Sequence, residues 1–328
     1  MAASNSIQIR YLESHEYDLW DQFVDQCDFG TIFHKSQWLN PISKWQNLNF
    51  SIVGCYKGNQ LTGGMAFTWK KKFGRIPIIQ LPVKTPVFGP VISYSDTKYL
   101  SKIESQIHTV TKDLINFLLT DYQLFYAQFP PAFIDIRPYN WEGFDSGVHY
   151  TYSIKFHSET DLEAGFNPDI KRRIKKAYTL KYQLHENATE QYIAYAWDLE
   201  QKSFDRQGFK MQYTAKESFV SFILDLVQKK SGEVFTIMHE EKPVASVIMI
   251  LDQATGTAYY WHAGADKDFL NTGLNQLLVL KIMEKYKDSD LKSFDFVGAD
   301  TESIARYKST FNLPLTSMYS VSKSRGIA

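Results

Sequence analysis

Between Gly232 and Ser322, three apolar runs (GEVFTIM, VASVIMIL and TAYYWHAGA) are separated only by the short polar stretches HEEKP and DQATG. Runs rich in β-branched and aromatic residues, joined by so little chain, predict an antiparallel three-stranded meander. The loop DKDFLNTG follows, then LNQLLVLKIMEKYK. There Leu274, Leu277, Leu278 and Ile282 recur at helical spacing, widened by Val279, Met283 and Tyr286. A short strand, SFDFVGA, a helix, TESIARYKSTF, and a last strand, TSMYSVS, complete the stretch. A helix joining two strands makes a right-handed crossover, so TAYYWHAGA and SFDFVGA should lie parallel and diverge around a site.

The first half reads in the same order. SIQIRYL is a strand, and HEYDLWDQFVDQC is a helix with Leu19, Trp20, Phe23 and Val24 on one side. A short helix around Ser36 to Leu39 should stop near Pro41. FSIVGCY and LTGGMAFTW pair across KGNQ, and IPIIQLPV is the third strand. Four prolines between Pro77 and Pro90 make a regular central strand through VFGPVIS unfavourable. A helix of about twenty residues, TKYLSKIESQIHTVTKDLINFLL, and the strand YQLFYAQF close this half. After it come the strand YTYSIKF and the helices NPDIKRRIKKAY, EQYIAYAWDLEQKSF and KESFVSFILDLVQKK, ahead of the meander. Strand, helices, meander, helix and strand therefore occur twice, a duplication at the level of fold. The boundary falls in WEGFDSGVH, giving domains 1–147 and 148–328, with the groove between them as the default ligand site.

A chain of 328 residues suits two domains, and its 44% hydrophobic and 15% aromatic content is ample for two cores. Formal net charge is zero, so any contact with nucleic acid must be a local patch. Cys27 and Cys55 fit no metal spacing, and a reducing compartment is the simpler reading. No basic segment followed by an apolar run opens the chain, and no run is long enough to span a membrane, so a cytoplasmic protein is expected. Nucleophile elbow, HExxH, Walker and Rossmann patterns do not occur.

The element order resembles the GNAT acyltransferase fold. YYWHAGA, a helix beginning near Asn275, FDFVGA and IARYKSTFN together resemble the C-terminal half of the FemABX family. Those are tandem-GNAT aminoacyltransferases that build peptidoglycan cross-bridges, and the motifs resemble the FemAB-like acetyltransferases equally. The resemblance implies an α/β (α+β) protein of tandem GNAT-like domains. Each would be a mixed sheet with an antiparallel meander flanked by helices. It implies transfer of an aminoacyl or acyl group to an amine in a peptidoglycan or cell-envelope precursor, nucleotide-linked or polysaccharide. The donor would be aminoacyl-tRNA or acyl-CoA, with no permanently bound cofactor and no metal. The length leaves no room for the helical arm that some members insert. The alternatives are CoA-dependent N-acylation of an amino sugar or other amine, and a non-catalytic binding protein on a GNAT scaffold.

Several residues are candidates for that chemistry. Enzymes using acetyl-CoA cradle its pyrophosphate on a glycine-rich loop at a helix N-terminus. In DKDFLNTGLN only Gly273 remains, with no leading Arg or Gln, which predicts weak acetyl-CoA binding. KRRIKKAYTLK places Arg172 and Arg173 in a phosphate-binding patch, or else on a solvated basic helix. WKKKFGR suits stacking plus phosphate contact, or else simple protection of a hairpin edge. By the resemblance, Arg206 and Tyr213 of FDRQGFKMQY and Lys44 of SQWLNPISKW would contact the acceptor. Surface ion pairing and a helix-end lysine are the alternatives for Arg206 and Lys44. Tyr260 should face opposite to Tyr259 and Trp261, toward a ligand or the core. His262 is a candidate base, though a lone His is usually structural. Asp300 reads as the N-cap of TESIARYK. Lys308, in the family pattern F/Y-K-x-x-F, would stabilise the oxyanion formed when an amine attacks an ester. Otherwise it is an exposed helix lysine lying over Phe311.

Overall fold

The computed structural model describes residues 7–94, 97–157, 161–208 and 215–325. Two compact units divide the chain, one of residues 1–149 with 317–328, the other of residues 150–316.

The first unit opens with β1 (Ile7–Tyr11) and α1 (Tyr17–Asp25). Trp20 and Val24 of α1 are buried, but Leu19 is half exposed, so the buried stripe is narrower than its spacing predicts. α2 (Ser36–Trp45) runs straight through Pro41 rather than stopping there. Trp38, Leu39, Ile42 and Trp45 are all buried on one side, which outweighs the one hydrogen bond a proline removes. The Asp21 carboxylate caps the helix, accepting from Ser36 N at 2.5 Å and Gln37 N at 3.2 Å. Then come β2 (Asn49–Lys57), β3 (Gln60–Lys72), β4 (Ile76–Ile79) and the two-residue β5 (Val91–Ile92), short as the prolines predict. α3 (Leu100–Asp121), β6 (Leu124–Gln128) and α4 (Arg137–Trp141) follow. β1 to β4 pair antiparallel in sequence order, while β4 and β6 pair parallel across the α3 connection.

β7 (Asp145–Lys155) carries the chain into the second unit, which continues with α5 (Leu162–Gly165), α6 (Pro168–Ala177), β8 (Gln183–Glu186), α7 (Glu190–Arg206) and α8 (Lys216–Gln228). The meander is β9 (Gly232–His239), β10 (Lys242–Asp252) and β11 (Thr257–Ala265). α9 (Leu274–Lys287), β12 (Ser293–Asp295), α10 (Glu302–Ser309) and β13 (Leu315–Ser324) complete the chain. Strand order in this unit is β7-β12-β11-β10-β9-β8. The first unit runs β1-β2-β3-β4-β6 and then β13, the last strand of the chain. The duplicated order is thus present in both units, each with its meander next to a parallel pair.

α9 is buried on nearly every side, with Leu274, Leu277 to Leu280, Ile282, Met283 and Tyr286 all inside. A helix apolar all round belongs in a core. Phe294, Phe296 and Phe311 pack in the same cluster. The other face of the sheet is covered by α7 and α8, where Phe219 stacks with Trp261 at 6.2 Å. Gly264 lets α7 approach β11, since a Cβ there would stand 2.3 Å from Glu200 N. Among the described residues no helix is long and apolar enough to cross a membrane.

Candidate active site at the fork of β11 and β12

β11 and β12 pair parallel over only three positions, Thr257 to Tyr259 against Ser293 to Asp295. Beyond them β12 stops, while β11 continues to Ala265. The divergence expected from the sequence is therefore present. A bulge sharpens it: Met249 of β10 faces Tyr260 and Ile248 faces His262, leaving Trp261 as the extra residue. Simple alternation would return His262 to the side of Tyr260. The bulge instead puts both Trp261 and His262 against α7 and α8, where Phe219 meets the two rings. His262 is fully engaged there. Its Nε2–H donates to the Ala196 carbonyl at 3.1 Å, and its Nδ1 lies 3.1 Å from the Glu200 carboxylate. This buried pair faces away from the fork, so His262 is structural.

Tyr260 projects to the opposite face, between Phe294 and Phe296. Its hydroxyl and that of Tyr307 are hydrogen-bonded, and Asn275 Nδ2 donates to Tyr307 Oη at 2.8 Å. Burial pushes both phenols well above their ordinary range, so both stay protonated donors at neutral pH. Asn275 sits in the first turn of α9, Tyr260 on β11 and Tyr307 on α10, so three elements meet at the open end of the fork.

Lys308 is the one buried residue of α10, at 8% exposure. It does not lie out in solvent over Phe311. Its Nζ donates to the carbonyls of Phe296, Val297 and Gly298 at 2.6, 2.8 and 2.7 Å. These three residues leave the end of β12 through a tight loop, with Val297 at φ +56° and Gly298 at φ +75°. A left-handed β-branched residue is strained and needs surroundings that hold it. Lys308 supplies them from one side and Asp295 from the other. The half-buried Asp295 Oδ1 accepts from Val297 N at 2.7 Å and from Thr151 Oγ1 at 2.6 Å. Backbone bonds from Phe296 N to Tyr152 O and from Ala299 N to Tyr150 O fix the loop to β7. Asp300, read from the sequence as a helix cap, instead accepts from Tyr150 N at 2.8 Å and anchors the same strand.

Burial raises the Asp295 carboxyl above its ordinary value, against the lowering pull of Thr151, the Val297 amide and the Lys308 charge. A raised carboxyl favours the fold at low pH, and that contribution is lost as pH rises through the folded value. Asp295→Asn keeps an oxygen for both hydrogen bonds but cannot ionise. Urea unfolding from pH 4 to pH 8 should therefore show the wild type losing stability relative to the variant as pH rises. A gap that widens in the other direction contradicts the assignment.

The other sequence-predicted residues are spread more widely. Arg172 is exposed and paired with Asp169; Arg173 donates to Asp169 at 2.8 Å and reaches the Leu270 carbonyl at 3.5 Å. Lys176 reaches the Asn271 carbonyl at 3.3 Å, so α6 lies against the loop that precedes α9. Gly273 begins α9 at φ +87°, and a Cβ there would stand 2.0 Å from the Arg173 carbonyl oxygen. Arg206 is exposed at the end of α7 and donates to Ser203 Oγ at 3.0 Å. Lys44 is exposed in the last turn of α2, in the first unit. Tyr213 lies outside the described residues. Tyr260 and Lys308 thus flank one fork. Tyr307, Asn275 and Asp295 join them there without having been singled out for it, although all three lie within or next to the family-like wording.

Residues 166–309 match the family model of the acetyltransferase (GNAT) domain. No curated protein matches the chain by sequence. Among solved structures, FemX superposes with a TM-score of 0.67 at 10% identity, over 95% of this chain and 96% of that one. L-PGS from Bacillus licheniformis gives 0.59 at 11% identity, over 97% and 94%. A tandem GNAT protein from the clavulanic acid biosynthesis pathway gives 0.56 at 8%, over 98% and 100%. At such identities these likenesses are likenesses of fold. With its acetyltransferase-type domain at residues 166–309, this chain is a GNAT-fold transferase, FemX-like in architecture.

Proposed function

We propose that the protein transfers an aminoacyl group from an ester donor to the amine of a cell-envelope precursor, at the fork of β11 and β12. The observation that carries this reading is the gathering of Lys308, Tyr260, Tyr307 and Asn275 where the two strands part. When an amine attacks an ester carbonyl, negative charge develops on the carbonyl oxygen. Fixed donors and a nearby cation lower that barrier most in a site shielded from water. One O–H of the bonded phenol pair is left to donate outward, and Asn275 has a second amide hydrogen besides the one it gives to Tyr307. Lys308 contributes its charge and the shape of the Phe296–Gly298 loop, because its three N–H groups already point at carbonyls. The tetrahedral adduct then expels the donor's alkoxide, which takes the proton that the amine gives up.

The seating of α9 favours an aminoacyl-tRNA over acyl-CoA as donor. A pyrophosphate needs open amides at that helix N-terminus. There the Arg173 carbonyl stands against Gly273, and Arg173 and Lys176 are laid along the preceding loop. The outer side of α6 presents Arg172 and Lys175, suited to the phosphates of a nucleic acid. Lys44, Arg206 and Tyr213 are proposed to contact the acceptor, a nucleotide-linked or polysaccharide precursor made in the cytoplasm. The C-terminal domain of a lysylphosphatidylglycerol synthetase from Agrobacterium fabrum, whose product carries a lysyl group, shares this fold and supports the aminoacyl reading.

Titration calorimetry tests the donor. Charged tRNA should bind, and acetyl-CoA should bind more weakly than about 10 µM, roughly −7 kcal/mol. Tight acetyl-CoA binding with no response to tRNA would replace this reading with CoA-dependent N-acylation.

A further inference from the structure

The β3–β4 hairpin overhangs its sheet. β2 pairs with β3 only as far as Asn49 against Trp69, while β3 and β4 stay paired three positions further, to Lys72 against Ile76. The projecting arm is about 10 Å long at the rise of an antiparallel strand. Lys70 to Arg75 are all exposed, and none of their four cations has a carboxylate partner among the described residues. At the tip stands Phe73, 81% exposed, the most exposed large apolar side chain of the described residues. Its φ is +52°, and Gly74 beside it is at +71°. The Lys72 ammonium lies 5.4 Å from the Phe73 ring centroid.

Nothing in the fold accounts for this tip. Asn or Gly suits the first left-handed turn position, and Phe there costs conformational energy. Its ring buries little in return. A water-facing phenyl among lysines matches a surface that is apolar within and anionic at its rim. We propose that the Lys70–Arg75 tip is an anchor that seats the protein on an anionic lipid bilayer. Phe73 enters the interfacial layer while the lysines and Arg75 meet the headgroups. A single-stranded nucleic acid fits less well, because such sites use successive rings along a groove, and this is one ring on a convex tip. The protein is neutral overall, so general attraction to anionic vesicles would not mimic a local anchor. The anchor does not depend on which group the enzyme transfers.

The test is co-sedimentation of the full chain with vesicles of phosphatidylcholine alone and of phosphatidylcholine with phosphatidylglycerol. Binding is expected only to the anionic vesicles, weakening with salt. Changing Lys70, Lys71 and Lys72 to Gln should weaken it about fivefold for each lysine. Phe73→Asn places a better left-handed residue at the turn. It should keep or raise the melting temperature yet lower binding about tenfold, the scale for losing a partly buried apolar ring. That pairing separates a lost anchor from a damaged fold. Equal binding to both lipids, no binding to either, or wild-type binding by Phe73→Asn overturns the proposal. Binding of a single-stranded RNA oligomer through the same residues, without vesicle binding, overturns it in favour of a nucleic-acid surface.

Discussion

Lys308→Met should cost the protein both activity and stability. Methionine keeps the length of the stem but donates nothing. The carbonyls of Phe296, Val297 and Gly298 would lose their shared cation inside the protein. Bonds to a charged donor contribute about 1.5–3 kcal/mol each, and they are not additive around one ammonium. A loss of about 3–5 kcal/mol is therefore expected, the scale for breaking a buried charged network. Activity should fall by about 10²-fold or more at a temperature where the variant remains folded, as when one oxyanion donor is removed. Lys308→Arg keeps the charge, but a planar fork cannot turn its donors toward three converging carbonyls. It should fall between wild type and Met in stability. An unchanged unfolding midpoint in urea for Lys308→Met would mean that the ammonium does not hold the loop. Unchanged turnover would remove Lys308 from the chemistry.

Gly273→Ala should be nearly as damaging to the fold. The residue is left-handed, at φ +87°, which costs an L side chain about 1–2 kcal/mol. Its new Cβ would stand 2.0 Å from the Arg173 carbonyl, so α6 and α9 must separate. Overpacking of that kind adds about 1–3 kcal/mol. The total is about 3 kcal/mol, or roughly 10 °C in the melting temperature of a unit this size. Gly58→Ala is the control: it shares the left-handed backbone but meets nothing within 4 Å. It should lose only the conformational part. Equal losses at the two positions would show that α6 does not press on the start of α9.

These two residues also mark what a sequence can disclose. The meander, the crossover through α9 and the repeated order were legible because strands and helices leave different hydrophobic periods. The divergence of β11 from β12 followed from handedness. The bulge at Trp261 left no trace, since an inserted residue changes the pairing partner and not the composition. The course of α2 through Pro41 also escaped, because burial of two tryptophans outweighed a local rule. β8, four residues with little apolar content, gave no strand period to read. Lys308 was singled out by a family-like pattern. That its donors would close on Phe296, Val297 and Gly298 depends on the loop's left-handed turn. Val297 gives no hint of it, because valine is among the residues least suited to that conformation. Tyr307 had no role read for it and Asn275 only marked the start of a helix, until three elements were folded together. Arg172 and Arg173 read as one patch, yet Arg173 is turned inward on the α9 loop while Arg172 remains outside.

In the proposed reaction the fork of β11 and β12 passes an aminoacyl group to an amine. The most direct measurement follows a labelled amino acid from charged tRNA into a nucleotide-linked peptidoglycan precursor, with wild type and Lys308→Met assayed side by side. Label is expected in the precursor amine with the wild type, and about 10²-fold less with the variant. Label transferred equally by both proteins, or acetyl transfer from acetyl-CoA with none from tRNA, would contradict it.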